Sequence, residues 1–229
     1  MNRMCIAVLA CMAALQARAQ DGVALAGIEG SNATHSAYLG TVRPLAGSGL
    51  GKGWVQRYWL DYTRYRYEKT PVQDIDASVV GAEVALGYQD SSESGWWSAY
   101  VGGRYGNTRL SPDDPANEDR GGDFSAKLQF EGETALSPGW RINGIVSHVV
   151  AHSSYWARVR LEHWLGDGLR VGPEFVAQGD PLYHLHKIGV YVGGIRLGEA
   201  AALTVKLGAS KLSAERTGAY AGVEWYMPY

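Results

Sequence analysis

His152 and Ser154 stand two residues apart, so in an extended chain both side chains project to one face. There an imidazole can draw the proton from a hydroxyl and turn it into a nucleophile. That pair would make the chain a hydrolase. No acidic residue to orient the imidazole can be picked out by spacing, and a polar turn between two strands explains the two residues as well. His184 and His186 repeat the spacing, with Asp180 close by. Two histidines and one aspartate, without a third strong ligand nearby, read as solvated loop residues, so neither a metal nor another cofactor is expected. Asp113, Asp114, Glu118 and Asp119 form an acidic loop with Pro112 and Pro115. Its carboxylates are the ligand type of a divalent cation, and a solvated loop stiffened by proline accounts for them too.

A larger charged set is spread along the chain. Glu83, Arg104, Lys127, Glu131, Glu133, Arg141, Arg158, Arg160, Glu162, Arg170, Glu174, Lys206 and Glu224 all fall on the polar side of alternating segments. The clearest places Phe124, Ala126, Leu128, Phe130 and Leu136 on one face, and Ser125, Lys127, Gln129, Glu131 and Glu133 on the other. A period of two sustained this long predicts a strand. Segments 155–165, 169–179 and 201–211 repeat the design, separated by turn residues such as Ser137-Pro138-Gly139 and Gly166-Asp167-Gly168. The pattern predicts about twelve strands, near residues 22–30, 35–44, 54–68, 75–89, 96–109, 122–136, 140–151, 155–165, 169–179, 186–197, 201–211 and 217–227, the first two resting on the weakest alternation. Between Trp54 and Glu68 the phase breaks: Trp54, Tyr58, Leu60 and Tyr62 share one face while Tyr65 and Tyr67 take the other. Either a bulge near Thr63 or a strand end that has left the apolar environment accounts for it.

Either face of such strands can be the buried one. A soluble sandwich or lipocalin-like barrel would hide the apolar rows and wet the charges. Three features favour the reverse. Apart from the first two, the predicted strands run 11 to 15 residues, enough to cross a bilayer at a tilt. The apolar rows begin or end in Trp97, Tyr105, Trp140, Tyr155 and Trp225, as an interfacial girdle requires, and short connections alternate with longer ones. No stretch approaches the roughly 20 apolar residues of a spanning helix.

Ahead of the strands, Asn2 and Arg3 precede an apolar run from Cys5 to Leu15 and the small-residue site Ala17-Arg18-Ala19, the pattern of a secretory leader cut before Gln20. Residues 1–19 are therefore expected to be a signal peptide, and residues 20–229 one all-β domain: an antiparallel transmembrane β-barrel of the Gram-negative outer membrane. Both cysteines, Cys5 and Cys11, lie in the leader, which leaves the mature chain without a disulfide framework. Its 19 Lys and Arg against 23 Asp and Glu, a formal charge of −4, argue against nucleic acid as a partner.

Leu110-Ser111-Pro112-Asp113-Asp114-Pro115, then Ser154-Tyr155-Trp156-Ala157-Arg158, then Val171-Gly172-Pro173-Glu174 occur in an order that resembles the BcsS family of bacterial cellulose biosynthesis proteins. The likeness runs from roughly residue 30 to the end and is strongest between residues 97 and 194. It implies a secreted envelope protein tied to cellulose or a related exopolysaccharide, with the synthesis and secretion machinery as partner, and it carries no catalytic residue. Separately, His152 and Ser154 are similar to the His-x-Ser of outer-membrane lipid A deacylases, which keeps a lipid-modifying hydrolase as the alternative.

With the apolar rows toward lipid, the charged set faces the lumen, and lipid and lipopolysaccharide surround the wall. Two readings then stand. One is a self-neutralising ionic network that fills the barrel. The other is a non-enzymatic polar lumen that holds or passes a glucan chain. In it Tyr100, Trp156, Trp164 and Tyr220 stack on pyranose faces while Arg104, Lys127, Glu131, Arg158, Arg160, Glu162, Arg170 and Glu174 bind hydroxyls. Twelve strands fall between filled eight-stranded barrels and open sixteen-stranded ones, so width does not choose between them.

Overall fold

The computed structural model describes residues 22–229 except 33, 71–72, 116, 118, 152, 182–183 and 213–216, with the backbone alone at 68–70. The expected leader lies outside the described residues. Twelve strands follow one another: β1 (Val23–Ser31), β2 (Thr34–Pro44), β3 (Gly53–Thr70), β4 (Gln73–Ser92), β5 (Gly95–Ser111), β6 (Gly121–Ser137), β7 (Trp140–Val149), β8 (Ser154–Gly166), β9 (Leu169–Gly179), β10 (His184–Leu197), β11 (Ala201–Leu212) and β12 (Gly218–Pro228). Each pairs antiparallel with its sequence neighbour, and β12 pairs back onto β1, so the sheet closes into a barrel. Closure leaves no strand edge with unpaired backbone groups, which hydrocarbon would not satisfy.

The exposure pattern decides which face meets the surroundings. Outward-facing Phe124, Ile188 and Ile28 are 74%, 65% and 64% exposed, whereas inward-facing Glu83 and Glu174 are 3% and 1% exposed. A protein stabilised in water would show the opposite, since each exposed apolar Å² costs about 25 cal/mol there. On β4 the outward row Val80, Ala82, Val84, Leu86 and Tyr88 covers about 27 Å along the strand, the reach of a tilted membrane strand. Aromatic rings border this band. At one end Trp54 meets Tyr88 at 5.4 Å, Tyr88 meets Trp97 at 5.9 Å, Trp97 meets Phe130 at 6.2 Å, and Trp140 packs on His163 at 4.6 Å. Tyr105, Phe124 and Tyr155 stand toward the other end.

The connections at the first of these ends are mostly tight. In the β8–β9 turn, Asp167 (φ 50°) and Gly168 (φ 79°) both take the left-handed conformation that a two-residue hairpin needs to match strand twist. The expected alternation of short and long connections holds for the second half of the chain and fails in the first. The β2–β3 connection, 45–52, is long at this short-turn end, while only two residues separate β1 from β2 and β3 from β4 at the long-loop end.

No bulge occurs at Thr63. The β3–β4 register runs unbroken from Gly53 opposite Gln89 to Glu68 opposite Asp74. With 18 and 20 residues these two strands project past the apolar band, carrying Tyr65 and Tyr67 on the inner face and Arg64 and Arg66 on the outer one. The register shifts instead in β10 between Val192 and Ile195, where Gly194 has φ +75°.

Candidate functional site: the barrel lumen

Strand alternation carries the charged set inward, and barrel closure brings together residues far apart in the sequence. Glu224 on β12 is the hub. Arg158 and Arg160, both on β8, reach it at 3.1 and 3.0 Å, and Lys206 on β11 at 2.9 Å. Arg160 also pairs with Glu174 at 2.5 Å, and the Tyr220 hydroxyl donates to Glu174 at 3.2 Å. Lys187 on β10 and Lys206 both pair with Glu29 on β1, the latter at 2.7 Å. Three strands separate β8 from β12 along the wall and two separate β10 from β1, so these contacts cross the interior.

Two further groups lie beside this one. Glu83 sits between Lys127 at 2.6 Å and Arg57 at 3.6 Å, and Arg104 donates to Asp61 at 2.6 Å. Toward the short-turn end, Arg141 and Arg170 approach Glu133 at 3.1 and 3.6 Å, and Arg170 approaches Glu162 at 3.3 Å. Gln129 donates to Glu131 at 2.9 Å. Burying an ion costs several kcal/mol, and close pairing offsets that cost.

The residues named from the sequence fall on the inward register, and Glu29, Tyr38, Arg57, Trp59, Asp61, Lys187 and Tyr191, which the sequence reading did not name, share it. Arg57, Trp59 and Asp61 oppose Tyr58 and Leu60 by the same alternation, so their register was legible. Glu29 and Tyr38 belong to the two strands with the weakest pattern. Tyr38 stacks on Trp59 at 4.7 Å, and Gly40 leaves the space that the Trp59 ring fills.

Two expected sugar-stacking rings are covered. Tyr100, 4% exposed, packs with Val23, Val42, Val55 and Ala85, with Leu25 and Leu50 against them. Gln89 fastens this cluster, donating to the Tyr100 hydroxyl at 3.0 Å and accepting from the Gly51 amide at 2.9 Å. The 45–52 connection thereby places an apolar plug, including Leu50, at the short-turn mouth. Tyr220 is 3% exposed beside Glu174. Trp164 lies at the short-turn end with the Arg141 and Arg170 guanidinium groups 5.2 and 5.4 Å from its ring.

Trp156 lies in the long-loop half. It is half-buried, with the Arg158 guanidinium 5.9 Å from its ring, and stands in direct register with Ser147 on β7 and Gln178 on β9, while Ser147 is opposite Gln129 on β6. Indole, hydroxyl and carboxamide therefore form one inward row.

The acidic loop is more than a solvated connection. Asp114 is buried and accepts from the Tyr67 hydroxyl at 3.0 Å; Asn117 donates to the same hydroxyl, and Arg120 pairs with Asp113 at 2.8 Å. Glu118 and His152 lie outside the described residues. Ser154 opens β8 opposite Val149. His184 pairs with the Tyr155 hydroxyl at 3.2 Å and His186 stacks on Phe175, both on the outward register.

An antiparallel wall that is closed, apolar outside and charged within defines a transmembrane β-barrel of the outer-membrane type. Solved barrels share the fold at low identity. The KdgM porin has TM-score 0.53 and 9% identity over 90% of this chain and 99% of its own; the same porin in complex with disordered oligogalacturonate has TM-score 0.52. The translocator domain of the autotransporter NalP from Neisseria meningitidis has TM-score 0.52 and 10% identity over 99% of this chain and 95% of its own. No curated protein matches the sequence. The family model for the cellulose biosynthesis protein BcsS matches residues 23–229, and the chain belongs to that family.

Proposed function

We propose that this protein is a non-enzymatic outer-membrane barrel that holds a glucan chain at its long-loop end and does not conduct it. Residues 1–19 serve as its export signal, and the long-loop end faces the cell exterior, following the rule for such barrels. The cross-lumen ion pairs of Glu224 with Arg158 and Arg160 carry this reading. A polymer threading the barrel would have to break them, and would then meet the plug around Leu50 and Tyr100. Above these bridges, the Trp156 ring offers a flat apolar face for a pyranose, flanked by Ser147 and Gln178 as partners for its hydroxyls. The KdgM structure with oligogalacturonate is a precedent for a saccharide with a barrel of this fold. Membership in the cellulose biosynthesis family makes a β-glucan the expected saccharide and the synthesis and secretion machinery the expected partner.

The test is cellohexaose titration of the detergent-purified protein, followed by calorimetry. Trp156→Ala is expected to weaken binding by about tenfold, the worth of one good ring contact, and Trp164→Ala to leave it unchanged. Equal affinity for the wild type and Trp156→Ala, or no binding by the wild type, would overturn the site.

A further inference from the structure

Outside the barrel, at the long-loop end, one row of paired residues breaks the apolar pattern. His35 on β2 is opposite Arg64 on β3, Arg64 opposite Ser78 on β4, and Ser78 opposite Arg109 on β5. All four are on the outward register, and His35, Arg64 and Arg109 are exposed. One outward position lower, the same strands carry Ala37, Tyr62, Val80 and Asn107, and below that Leu39, Leu60, Ala82 and Tyr105. The cationic row therefore stands just above the hydrocarbon band, at the depth of lipid headgroups. Arg64 and Arg109 leave the wall two strands apart, about 10 Å, with the Ser78 hydroxyl between them. That spacing lets two guanidinium groups converge on one phosphate, with the hydroxyl as a further donor.

Among the described residues, Arg64, Arg66 and Arg109 stand here against Asp74 and Asp76. Asp76, on the outward register one position further from the membrane, pairs with Arg66 at 3.2 Å and Arg64 at 3.5 Å, and Asp74 lies near Arg66. Arg109 has no ion pair among the described residues. We infer that Arg64, Ser78 and Arg109, with His35 beside them, bind the phosphate of a phosphorylated outer-leaflet glycolipid on the outer wall. The acyl chains lie down the apolar face over Tyr62, Val80 and Tyr105. This inference rests on the outer-membrane placement proposed above and is independent of glucan binding.

The experiment uses the full barrel purified in detergent and probed with bisphosphorylated lipid A, with the dephosphorylated lipid and with inorganic phosphate alone. The wild type is expected to bind the phosphorylated lipid at least about tenfold more tightly than the dephosphorylated one, as for a charge-assisted pair of contacts. Arg64→Gln/Arg109→Gln is expected to abolish that preference. Arg109→Gln alone removes a side chain that has no ion pair among the described residues, so it should preserve the fold and lose most of the preference. Arg196→Gln, at the short-turn end, should keep it. Equal binding of both lipids by the wild type, an unchanged preference in Arg109→Gln, or inorganic phosphate binding as tightly as the lipid would each overturn the site. Cellohexaose titration of the same variants separates this outcome from the fate of the glucan proposal, because these residues lie on the opposite side of the wall from Trp156.

Discussion

Arg160 on β8 and Glu224 on β12 face each other through two hydrogen bonds of 3.0 Å, although three strands lie between them along the wall. The forked geometry matches the two guanidinium nitrogens to the two carboxylate oxygens, the strong form of the interaction. It also ties opposite parts of the cylinder together, so the barrel is braced from within as well as hydrogen-bonded around its circumference.

Removing the hub should therefore be costly. Glu224→Ala leaves Arg158, Arg160 and Lys206 facing one another without their shared carboxylate, and a loss of about 3–5 kcal/mol is expected. Glu224→Gln, which keeps an acceptor oxygen, should lose less. Urea unfolding in detergent, followed by tryptophan fluorescence, measures both; an effect of Glu224→Ala below about 1 kcal/mol would mean that solvent already screens the cluster.

The bridges and the plug obstruct the lumen at different depths, so removing one should not open it. In planar bilayers the wild type is expected to show no stable conductance steps. Deletion of residues 46–51 should also remain closed, because the Glu224 and Glu29 bridges persist. Combined with Glu29→Ala, Arg158→Ala and Arg160→Ala, which remove both sets of bridges, the deletion should produce ohmic steps. Stable porin-sized steps from the wild type would refute the closed lumen.

At the projecting end of β3 and β4, the hydrogen bond from Arg66 holds the Asp76 carboxyl below its ordinary value of 3.8, with Arg64 adding to the effect. For a lowered carboxylate the stabilisation is fully present above the unfolded pKa and disappears as pH falls through the folded one. Pairing at this hairpin tip should therefore be intact at neutral pH and fade only in acid below about pH 4. A carboxyl titration by NMR should place Asp76 below ordinary aspartates, and Arg66→Gln should move it back up. An Asp76 titration unaffected by Arg66→Gln would disprove the coupling. Both groups are exposed, so global stability should barely change.

How much of this was legible in the residue order differs from strand to strand. The segment Phe124–Leu136 announced both its conformation and its two faces, because side chains in a strand alternate and its polar and apolar residues do so without a break. The aromatic ends of the rows located the girdles for the same local reason. β1 and β2 gave a weak signal because small residues occupy much of both faces, as at Ala24, Ala26, Gly27 and Gly40. The change of face in β3 suggested a bulge because the pattern cannot distinguish a slipped register from a strand that outlasts the membrane. In β3 it is the second, with Arg64 and Arg66 outside in place of Leu60.

Residue order thus determined the strands, their phase and the inward set from Glu83 to Glu224, since those depend on neighbours two positions apart. It also carried the family phrases around Pro112, Trp156 and Pro173. Closure decided the rest. That Lys187 meets Glu29, that Glu224 collects cations from β8 and β11, and that Tyr100 is walled in by Leu50 while Trp156 stays half-buried in the other half all depend on the relative height and stagger of strands around the cylinder. Those distances are set by the whole circuit of backbone pairing, and no local spacing encodes them.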